Sequence, residues 1–165
     1  MVISNSSPLI HLTRIGKIEY LFKLVKNVII PKAVFNEIVV EGKQKNYSEA
    51  FLIESFIKEE KINVMNLKPF DDSLYPPLGR GELEALELAK QNKELLLIDE
   101  KKVRNLAQIL QIEHQTTLTT MFELLISKII DFIEYKSNIK RFAENSWISA
   151  DVIQEYIERG EKFGR

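Results

Sequence analysis

Short apolar runs alternate with amphipathic stretches along this chain. The most apolar runs cover residues 2–4, 28–30, 62–67 and 95–98, and residues 112–114 are a weak further strand candidate. Runs of this kind are typical of strands buried on both faces of a parallel sheet. Helical patterns lie between them, and strands that alternate with helices form right-handed crossovers. We therefore predict an α/β fold with three layers, α/β/α, in which helices flank a central, mainly parallel sheet.

Capping residues and apolar spacing predict where the helices lie. Ser6, Ser7 and Pro8 combine hydroxyl caps with a first-turn proline, which is typical of a helix start. Gly42 is expected to end the helix that begins at Pro31. Further helices are expected over residues 18–25, 48–60, 81–92, 117–130 and 152–159, and around the helically spaced apolar residues Val103, Leu106, Ala107 and Leu110.

Composition narrows the class of protein. The chain has 165 residues, of which 45% are hydrophobic and 28% charged, as in an ordinary globular domain with a substantial core. No apolar run approaches the roughly 18 residues of a membrane span, and the start lacks the features of a signal peptide. We expect one cytoplasmic domain over residues 1–165, without membrane association and with a C-terminal helical extension from about residue 130.

Charge and metal-binding residues exclude some kinds of site. There is no cysteine, so thiolate sites and disulfides are excluded. The only histidines are His11 and His114, which argues against a multi-histidine zinc centre. The formal net charge of −1 does not suggest a protein that wraps nucleic acid by bulk charge. A carboxylate cluster that holds a cation would lower the formal charge without repelling a phosphate once the metal is bound.

Four acidic or amide side chains lie near the ends of the most apolar segments, namely Asn5, Glu37, Glu82 and Asp99. In open α/β sheets, sites form at the carboxyl ends of the strands. Oxygen ligands gathered at such an edge are what a hard divalent cation needs. The pattern therefore predicts a site for Mg²⁺ or Mn²⁺, in which Glu37, Glu82 and Asp99 hold the ion and Asn5 supplies an oxygen or orients a water.

Each of these residues has a structural alternative. Glu82 shares a helix face with core residues, while Glu84 and Glu87 are expected on the polar side, yet Glu82 could be a first-turn glutamate favoured by the helix dipole. Glu37 lies on an apolar helix face and needs a partner, which could instead be a lysine or arginine.

The strand-end residues are open to capping roles. Asp99 could cap the next helix, and Glu100 is either a second ligand or a solvent-facing charge. Asn5 could cap the helix that follows it, and as a ligand it offers only a neutral carbonyl oxygen.

Residues beside this constellation are candidate substrate contacts. Lys101, Lys102 and Arg104 follow Asp99 and could reach phosphates, although a solvated helix face is the alternative. Ser6 and Thr117 carry hydroxyls near the same positions, and helix capping is their alternative role.

Ordered motifs resemble those of PIN-domain proteins, and more narrowly the prokaryotic branch described as predicted nucleic-acid-binding proteins. The resemblance is carried by residues 2–10, 16–18 and 30–37, by the glycine–glutamate motif at 78–85, by the acidic block at 97–104 and by the closing helix at 149–161. Together these motifs span nearly the whole chain.

The resemblance implies a metal-dependent endoribonuclease, often the toxin of a toxin–antitoxin pair. Carried onto this chain, the family's acidic quartet falls on Asn5, Glu37, Glu82 and Asp99, with Thr117 near a later hydroxyl position. The chain departs from the pattern at Asn5, where the nucleases have aspartate, and at Arg80, where an acidic residue is common. RNA as substrate, an antitoxin as partner and a homodimer are further expectations from the family.

Two other functions stay open at this point. The fold could be a catalytically weakened module that binds RNA or a partner protein, and Asn5 is the main support for this alternative. The third hypothesis is a flavodoxin-like or receiver-like α/β domain with an acidic pocket for phosphorylation, in which Asp99 is the candidate phosphoacceptor. The absence of a paired acidic motif early in the chain argues against it.

Overall fold

The computed structural model describes residues 1–163, so the last two residues of the expected 1–165 domain lie outside the described part. Its strands are β1 Val2–Ser4, β2 Val28–Pro31, β3 Ile62–Met65, β4 Leu95–Leu97 and β5 His114–Gln115. They form one sheet in the order β3-β2-β1-β4-β5, and every neighbouring pair is parallel. The predicted α/β class and parallel sheet are confirmed.

Apolar strand residues point alternately to the two faces of the sheet. Helices therefore pack on both faces and form two hydrophobic cores. Val2, Val28 and Ile30 belong to one core, whereas Ile3 and Ile29 belong to the other. The first core is covered by α1 Ser6–Arg14, α2 Ile18–Leu24, α5 Ser48–Lys58, α8 Thr117–Ile126 and α9 Phe132–Glu144. The second is covered by α6 Arg80–Asn92 and α7 Lys101–Ile109, and α10 Ala150–Phe163 packs on α8 and α9. This arrangement confirms the three layers.

The chain reverses its direction across the sheet at β1. It runs outward from β1 through β2 to β3, and then returns to the other side of β1 to form β4. Ile3 pairs with Ile29 on one side and Leu96 on the other. Such a switch leaves a crevice beside the carboxyl ends of the two central strands. The residues that follow β1 and β4 are therefore brought together.

The segment after β2 is a longer helix than the sequence predicts. It consists of α3 Lys32–Phe35, a π-helical stretch Asn36–Glu41 and α4 Gly42–Gln44. The prediction that Gly42 ends the helix is wrong, because Gly42 has helical torsion angles and the chain continues through it. A Cβ at Gly42 would lie 2.9 Å from the Cβ of Ala50, so glycine allows close packing against α5 rather than a stop.

Other boundaries shift by a few residues. β3 ends at Met65 instead of residue 67, β5 begins at His114 instead of residue 112, and α8 ends at Ile126 instead of residue 130. Within residues 1–163, none of the helices combines the length and apolarity needed to cross a bilayer.

Candidate functional site

A cavity of about 530 Å³ lies at the carboxyl edge of the sheet, where α1, α6 and α7 begin. Helix N-termini carry partial positive charge, which favours anionic groups in the space they face. The cavity wall is nevertheless rich in acidic and amide side chains. It is lined by Asn5, Ser7, Ala33, Asn36, Glu37, Glu41, Gly79, Arg80, Gly81, Glu82 and Glu100.

Asn5 is the most buried polar side chain of this wall. It is 3% exposed, and its Nδ2 donates a hydrogen bond to Oε2 of Glu100 at 3.2 Å. Because an ionised carboxylate only accepts hydrogen bonds, the amide nitrogen faces Glu100 and the Oδ1 atom faces away from it. Oδ1 is buried without a hydrogen-bond partner. A buried acceptor left in this state is costly, so this position calls for a donor or a cation.

Glu37 lies on the π-helical stretch and is exposed to the cavity. Its Oε2 accepts a hydrogen bond from the Ser6 hydroxyl at 2.7 Å. No lysine or arginine within residues 1–163 is close enough to form an ion pair with it, so the salt-bridge alternative is not observed. The i→i+5 pattern of a π-helix changes which face a residue occupies, and such stretches are frequent at functional sites.

Gly81 brings the start of α6 against these two side chains. A Cβ at this residue would lie 2.7 Å from Oε2 of Glu37 and 3.4 Å from Oδ1 of Asn5. The absent side chain therefore allows the backbone to approach both oxygens. Gly81 belongs to the glycine–glutamate motif at residues 78–85, but the sequence does not show which side chains it contacts.

Glu82 is half-buried and lines the same cavity, but its carboxylate is turned back along its own helix. Its Oε2 accepts a hydrogen bond from the backbone N–H of Gly79 at 2.8 Å, as in a capping box. The first-turn alternative considered for Glu82 therefore describes its observed contact.

The prediction that Glu84 and Glu87 lie on a polar face is wrong. Both are buried, with 9% and 5% of their surface exposed. Glu84 accepts hydrogen bonds from the Ala33 N–H at 3.0 Å and from Nε of Arg80 at 2.7 Å. The reason is that α3 packs across the side of α6 that an isolated amphipathic helix would expose to solvent.

Asp99 lies beside the cavity instead of lining it. Its carboxylate accepts hydrogen bonds from the Thr117 N–H at 2.8 Å and from the Thr117 hydroxyl at 2.7 Å. Oδ2 is also 2.9 Å from Nδ1 of His11. Asp99 thus joins the start of α8 to α1, and the residue that precedes α7 as its N-cap is Glu100.

Glu100 is the carboxylate that reaches the cavity from the end of β4. One of its oxygens accepts from Asn5 and the other from the Ser7 hydroxyl. The structure therefore brings together Asn5, Glu37, Glu82 and Glu100. The sequence signal for Glu100 and Ser7 is only their adjacency to Asp99 and to Ser6.

The structure shows what surrounds each of the five residues predicted to contact the substrate. Ser6 donates to Glu37, and Thr117 donates to Asp99. Lys101 is exposed, and Lys102 donates to the carbonyl oxygen of Pro77. The half-buried Arg104 has a buried Nε atom without a hydrogen-bond partner. None of these five side chains lines the cavity described above.

The donor set suits a weakly held hard cation. Within residues 1–163, no group of three or more histidine, aspartate or glutamate side chains is close enough to enclose an ion. Mg²⁺ commonly uses only one or two carboxylates and retains several waters. Glu37, Glu100 and the unpartnered Oδ1 of Asn5 line one cavity and are the oxygen donors that could hold such an ion.

Comparison with known proteins identifies a family and a likeness to a solved structure. A family model described as PIN domain matches residues 1–162. No curated protein sequence matches the chain. A solved structure, described as a domain of a functionally unknown protein from Methanocaldococcus jannaschii DSM 2661, has a TM-score of 0.48 and 21% identity. The likeness covers 70% of this chain and 89% of that one, and it carries no functional argument.

Proposed function

The chain belongs to the PIN-domain family, and from this premise we propose that it is a metal-dependent endoribonuclease that uses Mg²⁺ or Mn²⁺. PIN domains are nuclease-like modules that generally use divalent metal ions. The observation that carries the proposal is the buried, unpartnered Oδ1 of Asn5 at the wall that also holds Glu37 and Glu100. We further propose that residues 1–165 act as one domain.

The chain's own groups prepare the cavity for phosphodiester hydrolysis. The Ser6 hydroxyl orients Glu37, which is exposed to the cavity and able to accept a proton from an attacking water. The Asn5 amide and the Ser7 hydroxyl orient the two oxygens of Glu100. A divalent cation held by Asn5, Glu37 and Glu100 would acidify that water and offset negative charge on the phosphate. The N-termini of α1 and α6 also favour a phosphate in this space.

Asn5 has a physical role that an aspartate could not fill in the same way. Its Nδ2 donates to Glu100 at 3.2 Å, whereas an aspartate there would place two negative charges side by side. We propose that Glu100 compensates for the charge that is missing at residue 5. In this assignment Glu100, rather than Asp99, is the ligand contributed by the end of β4.

Cleavage assays on single carboxylate variants test this proposal. The parent is incubated with a panel of RNAs at several Mn²⁺ and Mg²⁺ concentrations. Glu37→Gln and Glu100→Gln are expected to lose at least 100-fold in rate, because each removes a ligand of the cation. Glu144→Gln, at an exposed position near the end of α9, is the matched control. Absence of metal-dependent cleavage by the parent across the panel would refute the proposal.

A catalytically weakened binding module is the second candidate, and the neutral Asn5 favours it. Asn5→Asp distinguishes the two functions. A gain in both Mn²⁺ affinity and cleavage rate indicates an enzyme weakened at this residue. A variant that binds RNA like the parent, with no cleavage and no gain in metal affinity, indicates a binding module.

We also propose a toxin role, with an antitoxin protein that blocks the acidic cavity, and a homodimer. Exposed apolar side chains on and before α5, namely Tyr47, Phe51 and Leu52, offer a surface for self-association. Growth arrest on expression of the parent but not of Glu37→Gln would support the toxin role. A monomer by light scattering at micromolar concentration would remove the homodimer.

A further inference from the structure

A second cavity, of about 470 Å³, adjoins the acidic one. Its wall includes Lys32, Lys68, Phe70 and Glu84. Arg80 lines both cavities, so they share a wall and follow one another along the surface. We propose that this second cavity, here named the basic groove, binds the backbone and one base of a single-stranded RNA whose scissile phosphate lies in the acidic cavity. This inference rests on the proposed function.

The two cavities differ in charge, and a nuclease can use both: carboxylates hold a cation, and lysines bind the phosphates of the RNA. The acidic cavity carries several carboxylates, whose negative charge opposes the approach of a polyanion until a cation is bound. In the basic groove, Lys32 and Lys68 are exposed, and within residues 1–163 neither ammonium group forms an ion pair. The groove carboxylate of Glu84 is already paired with Arg80, whose Nε lies 2.7 Å from it. The Lys32 ammonium lies over the Phe35 ring, 4.4 Å from the ring centroid, and its N–H groups, like those of Lys68, can still donate to phosphates.

The backbone of Lys68 is clamped by the side chain of Gln91. Its N–H donates to Oε1 of Gln91 at 2.9 Å, and Nε2 of Gln91 donates to the Lys68 carbonyl oxygen at 3.1 Å. The same Nε2 also donates to Glu87 at 3.0 Å. Because these bonds already fix the backbone at Lys68, ordering of that backbone adds little to the entropy cost of binding a phosphate there.

Tyr75 fixes the other end of the loop that connects β3 to α6. Its hydroxyl donates to the buried carboxylate of Glu87, and burial followed by that carboxylate raises the pKa of Tyr75. The phenol therefore stays protonated and remains a donor at physiological pH. Phe70 packs edge-on against Tyr75, with the ring centroids 6.3 Å apart.

Phe70 indicates which kind of polyanion the groove suits. The ring is half-buried and forms part of the groove wall beside the two lysines. Aromatic rings flanked by cations bind single-stranded nucleic acid because unpaired bases stack on them. Bases in an RNA duplex are stacked on each other and cannot do so. An acidic protein segment would use the lysines but would gain nothing from base stacking.

The experiment measures binding without cleavage. Fluorescence anisotropy with a labelled single-stranded RNA of about 12 nucleotides is recorded in EDTA. The proteins compared are the parent, K32A/K68A and Phe70→Leu. The control is K136A/K140A, on the exposed side of α9. Loss of two phosphate contacts is expected to weaken binding about 25-fold at 0.1 M salt and to reduce the logarithmic salt slope by about 1.4. Phe70→Leu is expected to weaken binding about fivefold or more without a change in slope.

Several outcomes overturn the inference. The inference fails if K32A/K68A binds the RNA as tightly as the parent does. It also fails if the K136A/K140A control loses as much RNA affinity as K32A/K68A. Displacement of the RNA by polyglutamate, together with parental affinity of Phe70→Leu, would assign the groove to an acidic protein instead of RNA.

A small substrate separates this inference from the proposed function. The parent is tested for Mn²⁺-dependent hydrolysis of bis(p-nitrophenyl) phosphate, which is too small to need the groove. Equal rates for the parent and K32A/K68A on this substrate, with a raised KM for RNA only in the variant, support both proposals. Loss of RNA affinity in the variant without any hydrolysis by the parent would retain the groove as an RNA-binding surface and refute the nuclease.

Discussion

Replacing Gly81 by alanine tests how closely α6 must approach the acidic cavity. The new Cβ would lie 2.7 Å from Oε2 of Glu37, which is closer than such atoms can pack. Oε2 is the far end of a flexible, exposed side chain, so Glu37 is expected to move away. That movement would break the 2.7 Å hydrogen bond from Ser6 and misplace the carboxylate relative to Asn5.

The effects of Gly81→Ala on stability and on metal binding should differ. Alanine favours a helix over glycine by about 1 kcal/mol, and loss of a hydrogen bond costs about 1 kcal/mol. The free energy of unfolding is therefore expected to change by less than about 1 kcal/mol. Loss of a group that orients a ligand commonly lowers metal affinity by about 10- to 100-fold.

Urea denaturation in EDTA gives the stability, and calorimetric titration with Mn²⁺ gives the affinity. Gly160→Ala is the matched comparison, because its Cβ would collide with the fully buried ring of Tyr135. That ring is fixed by its hydroxyl bond to the Tyr156 carbonyl oxygen, so this variant is expected to lose stability instead. Parental Mn²⁺ affinity in Gly81→Ala, or destabilisation as large as that of Gly160→Ala, would refute the reasoning.

Three further variants test the contacts around the cavity. Asn5→Asp is expected to lower the Tm in EDTA, because it places a second negative charge beside Glu100. Added Mn²⁺ should then raise the Tm of this variant more than that of the parent. Equal rises in Tm would count against a metal at this position. Asp99→Asn weakens the hydrogen bonds to the start of α8, so it should lower stability by about 1–2 kcal/mol but keep Mn²⁺ affinity, and a tenfold loss of affinity would reinstate Asp99 as a ligand. Tyr75→Phe leaves the buried Glu87 short of one donor and should cost about 1–3 kcal/mol in urea denaturation, whereas parental stability would show that the tether is not needed.

Local chemistry was enough to predict the sheet and most of its helices. Strands β1 to β4 coincide with predicted apolar runs, because fully buried segments such as β1 and β2 tolerate few polar side chains. β5 is polar and shares only His114 with the weak candidate at residues 112–114. The polar residues that follow β1 and β4 mark the same edge, since parallel strands end on one side. The motif resemblance then agreed with the family model over residues 1–162.

Long-range packing decided the features that the pattern missed. Helical spacing placed Glu84 and Glu87 in solvent, but α3 and the loop before α6 cover that side and supply donors to both. Periodicity also treated the segment after β2 as one regular helix. The structure instead has a π-helical stretch there, which packs against α5 and α1 and leaves Glu37 exposed to the cavity.

The acidic residues after β4 show which features the sequence determined and which depend on the tertiary structure. The sequence by itself determined that acidic residues would follow β4, because Asp99 and Glu100 are adjacent after an apolar run. Only the tertiary structure decided which of them enters the cavity. Thr117 at the start of α8 offers two donors that hold Asp99 aside, while Asn5 and Ser7 hold Glu100 toward the cavity. Neighbouring side chains in an extended segment point in different directions, and partners distant in sequence determine which direction meets the site.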